Sequence, residues 1–386
     1  VLLIRLAFRN AFRHRLRSAL TILGVMVAIL AFGLLRTVID AWHAGVEASS
    51  ANRLVTRNAV SLVFTLPLAY REKIRAIPGV TQVCPGTWFG GIYVDEKNFF
   101  ANFAYEPVSL LALYPELVID DPARRDDFLK DRKGCLVGAK LAKRFGWKVG
   151  DEITLRGTIY PGDWPMTVRA VYRGGRANTD ESQLFMHFAY VEESLRQSAP
   201  SRAGQAGFYL VGVQEASRAA ETARAIDAQF ANSPAETLTE TEKAFQMGFV
   251  AMSEAIILAI RLVSYVVVAI ILAVAANTMA MSARERTGEY AVLKTLGFPA
   301  RTVALLIFGE SLVLSLTGAG LGLALILPSA RVFGRFMEDF MPVFEVSRLT
   351  LVQGGLAGLA VGVLSGIYPA FYASRVRIAQ ALRRVG

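Results

Sequence analysis

Four stretches of this chain are too long and too apolar to sit together in the core of an ordinary soluble domain. Residues 19–35 run for 17 residues without a charge, 262–283 for 22 and 349–374 for 26. The remaining stretch, 302–330, is 29 residues long and is interrupted only by Glu310. Roughly 17–25 apolar residues in helical conformation cross a hydrocarbon layer about 30 Å thick. Only helices and closed barrels satisfy every backbone polar group there. The pattern therefore predicts four transmembrane helices. Composition agrees, with 53% apolar and 19% charged residues.

Charge placement sets the orientation. Arg5, Arg9, Arg13, Arg15 and Arg17 precede the first span. Arg284, Arg286, Lys294 and Arg301 lie between the second and third, and Arg375, Arg377, Arg383 and Arg384 follow the fourth. Those regions hold 13 basic residues against Glu285 and Glu289, so they are expected on the cytoplasmic side of the membrane. The long segment 42–249 then lies on the opposite side. Its 24 basic and 24 acidic residues cancel, so the net charge of +10 belongs to the membrane-flanking parts. That excess faces anionic lipid, and no nucleic-acid partner is implied. Three histidines, His14, His43 and His187, form no cluster and argue against a metal site. Cys84 and Cys135 both fall in the external segment. Either a disulfide or two buried thiols fits them.

The order of elements follows. Residues 1–18 read as an amphipathic interfacial helix, with Ile4, Ala7, Phe8, Ala11 and Phe12 on one side and arginines four apart on the other. Spans are expected at 19–41, 250–281, 302–328 and 349–373, with a short external loop at 329–348 and a cytoplasmic tail at 374–386. Inside 42–249, strand–helix–strand patterns appear near 58–85 and 207–240, and β-like stretches fill 86–206. This predicts a large α+β extracytoplasmic domain, a discontinuous βαβ subdomain carrying a β-rich insertion. Residues 42–57 and 236–249 read as helical stalks that extend the first two spans. Gly354, Gly358, Gly362 and Gly366 share one helical face, and Gly318 and Gly322 repeat the spacing. Such glycines let helix backbones approach closely, on each other or on a second copy.

Residues 282–299 read SARERTGEYAVLKTLGFP. Ser282 and Glu285 match a capping box, and Gly297 followed by Pro299 gives a stop. A charged helix held at the membrane surface by spans on both sides is placed to pass force to a soluble partner.

At this point a family resemblance enters. Residues 282–298 resemble the "ERxxEIxxLKxLG" signature of permeases of the macrolide-exporter (MacB-like), FtsX-like type. Residues 368–385, YPAFYASRVRIAQALRRV, resemble its "PAxxAxxxxPxxALR" tail, with Ile378 where proline is common. Residues 74–85, 135–155 and 166–173 resemble parts of its external domain. The likeness runs end to end and in order. It implies a standalone ABC transporter permease subunit, not itself an enzyme. The Walker A pattern is absent from the sequence, so no cofactor is expected on this chain, with ATP and Mg on a separate ATP-binding subunit. Arg284, Glu285, Arg286, Glu289, Tyr290 and Lys294 are the expected contacts to that ATPase. The resemblance also implies a second permease copy (a homodimer or a related permease), a periplasmic adaptor protein and an outer-membrane channel. Export of an amphiphile or peptide by mechanotransmission is the leading reading. A lipoprotein-releasing permease and a regulator of a cell-wall hydrolase are the alternatives. No catalytic or substrate-binding residue is assigned.

Overall fold

A computed structural model describes residues 2–98, 100–176, 178–337, 341 and 343–374. The tail motif from Arg375 onward lies outside the described residues. Among the described residues the chain forms two units, one built from 2–42, 253–337 and 344–374, the other from 43–252 with 341 and 343.

The first unit holds four helices long and apolar enough to span a bilayer, Arg15–Ala44, Glu254–Glu285, Ala300–Met337 and Arg348–Ser374. The interfacial helix is shorter than expected, ending at Ala11, and the next helix begins at Arg15. Ser18 accounts for the break: its buried hydroxyl donates to the Ala11 carbonyl and so closes off the first helix. The third spanning helix runs through Pro328 to Met337, so much of the expected loop 329–348 is helical. Hydropathy marks only the part of a helix that meets hydrocarbon, whereas the backbone ladder continues beyond it.

The glycines set the packing. Gly354, Gly358, Gly362 and Gly366 of the fourth helix lie against Leu323, Ala319, Ser315 and Ser311 of the third. Both series step by four in opposite directions, as antiparallel neighbours require. A clasp reinforces them: the Ser311 hydroxyl donates to the Gly362 carbonyl at 2.9 Å and meets the Ser365 hydroxyl at 2.7 Å. Gly318 and Gly322 face elsewhere, against the Ile22 and Met26 carbonyls of the first spanning helix, both 2.8 Å from where a Cβ would sit. At the other end of that helix, Asp40 accepts hydrogen bonds from Ser347 and Thr350, both at 2.8 Å.

The second unit is built on one long sheet. Its main strands are β1 (Arg53–Asn58), β2 (Val80–Trp88), β3 (Asn102–Tyr105), β4 (Gly134–Gly138), β5 (Glu152–Gly157), β6 (Gly162–Gly174), β7 (Leu184–His187), β8 (Phe208–Val213) and β9 (Thr237–Thr241). The order across the sheet is β9-β1-β8-β2-β3-β7-β4-β6-β5. Helices Tyr70–Arg75 and Ala219–Phe230 bury Ile74, Ile226 and Phe230 against Leu54, Val83 and Val211 at the β9 end. The chain between β2 and β8 forms the rest of the sheet, so the β-rich insertion is continuous with the discontinuous subdomain that carries it.

Two expectations change here. The stalk expected over 42–57 stops at Ala48, and the first strand of the pattern expected from 58 lies at Arg53–Asn58 instead. Likewise 237–241 is strand, and the second stalk is the helix Glu242–Met252, separated from the second spanning helix by Ser253. β1 and β9 pair through β-branched residues, with Thr56 and Thr239 hydroxyls 3.0 Å apart. The cysteines are free and buried. Cys84 is on β2 and Cys135 on β4, with β3 and β7 between them. Three strand spacings of about 4.8 Å separate them, well beyond the ~7 Å limit for a disulfide. Burial pushes the Cys84 thiol up to about 12.

Candidate functional site

The segment joining the second and third spanning helices contains a nine-residue helix, Thr287–Thr295. Its end is as expected. Gly297 takes φ +88°, its N–H donates to the Lys294 carbonyl, and the Phe298 N–H reaches back to Leu293, both at 3.1 Å. This is the Schellman arrangement, which glycine adopts without a Cβ penalty.

Its start is not as expected. Ser282 and Glu285 belong to the preceding helix, which continues to Glu285, so S-x-x-E is not a capping box here. The break falls at Arg286, which makes no side-chain cap. Thr287 explains the position: its hydroxyl donates to the Arg284 and Ala283 carbonyls, at 2.6 and 3.3 Å, taking up the last turn of that helix.

Arg286 organises the site. Its Nη1 bonds Glu310 of the third spanning helix at 3.0 Å, with both side chains about nine-tenths buried. Its Nε bonds Glu289, also at 3.0 Å, and its guanidinium lies 5.6 Å from the Tyr290 ring. Glu289 takes a second bond from Arg13 at 2.6 Å, and Arg17 bonds Glu285 at 2.6 Å. Partial burial disfavours charge on Glu289, but Arg286 and Arg13 overcome it and hold the carboxyl below the usual glutamate value. Lys294 donates to the Ser374 carbonyl at 2.8 Å, and the Arg284 guanidinium lies 5.9 Å from the Tyr372 ring.

The six residues expected to meet a partner therefore divide. Arg284, Glu285 and Glu289 are exposed and Lys294 is half-buried. Arg286 and Tyr290 are only 8% and 3% exposed and hold the segment from its inner side. The outward surface carries residues that the sequence reading passed over: Val292, Leu296 and Phe298 are 48%, 70% and 43% exposed. The available signal was the run of large apolar residues that accompanies Glu289 and Lys294 in this segment. Among the described residues no group of His, Cys, Asp or Glu is placed to hold a metal ion.

A second polar centre was also missed. Arg53, at the start of β1, is 5% exposed. It bonds Glu242 at 2.7 Å, Glu116 at 2.8 Å and the Leu113 carbonyl at 2.9 Å, and it covers the Tyr114 ring at 4.0 Å. Glu242, the first residue of the second stalk, also accepts from the Tyr114 hydroxyl and the Ser50 N–H, both at 2.8 Å. Burial works against the Arg53 charge, yet these partners raise its pKa above the ordinary arginine value. No local motif marks the centre, because its members lie up to 192 residues apart.

Comparison with known proteins adds independent evidence. Residues 18–229 match the MacB-like periplasmic core domain, and residues 261–378 match the FtsX-like permease C-terminal region. An uncharacterized ABC transporter permease of Methanocaldococcus jannaschii is 24% identical over a 405-residue alignment, covering 99% of this chain and 97% of that protein. An uncharacterized ABC transporter permease protein of Mycobacterium tuberculosis is 25% identical over 268 residues, 67% of this chain but 30% of the relative. Among solved structures, the extracellular domain of the noncanonic ABC-type transporter YknZ from Gram-positive bacteria aligns over its whole length with 49% of this chain. Sequence identity there is 15% and the TM-score 0.34.

Proposed function

Because this chain belongs to the MacB-like, FtsX-like family of ABC transporter permeases, we propose that its 287–298 segment receives the movement of an ATP-binding subunit and passes it to the external domain. Such a permease is a multi-pass membrane transport subunit with an ATP-binding partner. ATP and Mg belong to that partner, and this chain supplies the mechanical connection.

The observation that carries the proposal is the two-sided build of the segment. Its inner side is fixed by a buried ion pair, Arg286–Glu310, and by the buried Tyr290 ring. Its outer side presents Val292, Leu296 and Phe298 beside Arg284 and Glu289. Exposed apolar side chains accompanied by charged ones fit a protein partner, and rigid seating turns a push on that surface into movement of the spanning helices. Glu310, the ionisable residue deepest in the third span, is occupied by Arg286 at 3.0 Å, so it is not free to serve a substrate path through the bilayer. This supports mechanotransmission, with an amphiphilic or peptide substrate handled at the external domain or outer leaflet and exported. The basic flanks favour cytoplasmic termini in a bacterial inner membrane. A second permease copy, a periplasmic adaptor and an outer-membrane channel complete the assembly in this reading.

The test replaces the outer surface and spares the inner one. Leu296→Asp with Phe298→Asp should abolish co-purification with the cognate ATP-binding subunit, while membrane insertion stays normal. Glu289→Arg should weaken the complex to a lesser degree. Unchanged complex yield and ATPase activity in the double variant would remove the segment from the partner interface.

A further inference from the structure

At the break between the interfacial helix and the first spanning helix, the structure contains an open cleft of about 750 Å³. Arg13, Arg15 and Arg17 line it on one side, and Leu16, Leu20 and Val274 continue its wall along the first and second spanning helices. We propose that this cleft binds the phosphate headgroup of an anionic phospholipid, whose acyl chains run along the apolar wall.

Three observations point to this ligand. First, the cations are unequally committed. Arg13 and Arg17 bond Glu289 and Glu285, whereas Arg15 is exposed and makes no ion pair among the described residues. Second, Arg17 uses only one edge of its guanidinium. Nη2 bonds Glu285, while Nη1 is enclosed without a hydrogen-bond partner. A buried donor left unpaired is costly, so a turn of the Arg17 side chain that presents Nη1 to a phosphate oxygen in the cleft is favoured. Third, the wall beside these cations is apolar and open: Leu16, Leu20 and Val274 are 77%, 60% and 51% exposed. A free anion would have no use for that wall, whereas a phospholipid matches both parts. Basic pockets between spanning helices at the cytoplasmic surface suit anionic headgroups.

The inference does not depend on the transport reading, and the experiment needs no ATPase. The purified, delipidated full chain in detergent is titrated with phosphatidylglycerol or phosphatidylcholine, and bound lipid is read by native mass spectrometry. One phosphatidylglycerol should be retained per chain, in preference to phosphatidylcholine. Arg15→Gln should weaken that binding about fivefold, the effect of one surface cation on an anionic lipid, while Arg15→Lys should retain most of it. Arg301→Gln removes the same charge outside the cleft, and wild-type affinity is expected. Equal losses in the Arg15 and Arg301 variants would mean diffuse attraction only and would overturn the site. Equal binding of the two lipids would do the same. Displacement of the lipid by millimolar inorganic phosphate would reassign the cleft to a free anion.

Discussion

At the scale of single residues, the Arg286–Glu310 pair bears most on how the 287–298 segment is held. A buried ion pair adds little net stability over an apolar replacement, but breaking one side leaves an uncompensated charge that costs about 3–5 kcal/mol. Arg286→Met should destabilise the chain by about that amount in a denaturant titration of the purified protein. Adding Glu310→Met should restore most of the loss; a double variant as unstable as the single one would show that Arg286 acts through Glu289 or Tyr290 instead. His187 gives a pH prediction for the external domain. It is buried on β7 with Nε2 2.6 Å from the Phe128 carbonyl, and burial lowers its pKa below the ordinary histidine value. The unfolded chain therefore takes up a proton at a pH where the folded one does not. Stability is fully present above the unfolded value of about 6.5 and falls as the pH drops below it. Thermal unfolding should thus shift downward between pH ~7.5 and pH ~5.5, and a flat profile would contradict a neutral His187. The candidate site was partly legible at this scale. The charged segment could be picked out, but not which residues face inward, because that depends on where the helix starts. The capping box placed the start at Ser282, while Thr287 moves it to Arg286.

At the scale of elements, the number of spanning helices was legible from hydropathy and the glycine spacing was legible as a packing face. What each glycine faces was not, since a four-residue repeat names no neighbour. The fourth-helix series meets the third helix, while Gly318 and Gly322 meet the first. Gly358→Ala would drive a methyl group into the Ala319 side chain and should cost about 1–3 kcal/mol, as overpacking does. Gly320→Ala, on the same third helix with nothing near its Cβ position, should be neutral or stabilise by up to ~1 kcal/mol through helix propensity. Similar losses at both sites in a denaturant titration would show that glycine matters there for flexibility and not for close approach. The strands β1 and β9 were illegible for a different reason. Their local sequences tolerate helix, and the pairing that selects strand joins Thr56 to Thr239 across 183 residues.

At the scale of the whole molecule, the two stalks differ in build. The first spanning helix runs unbroken from Arg15 to Ala48, whereas the second stalk is separated from its span at Ser253. Two continuous extensions were expected; the first helix is continuous and the second is interrupted at Ser253. Proline in the interior of the continuous helix removes a backbone bond at a cost of about 3 kcal/mol. Ala44→Pro should therefore leave ATP hydrolysis by the assembled transporter near normal while abolishing ATP-driven distance changes between labels on paired external domains. Ala244→Pro should be tolerated, because Ala244 lies in the first turn of its helix and its N–H bonds only the Thr241 hydroxyl. If labels still move in the Ala44 variant, the first helix is a tether and the mechanism is wrong. The Arg53 centre has its own bearing on such movement. Ser50, just past the end of the first helix, and Glu242, which opens the second stalk, share one carboxylate, and Arg53 locks that carboxylate to Glu116. The two roots cannot splay apart there without stranding a buried charge. On the mechanical reading proposed above, displacement of either root is therefore expected to carry the other with it.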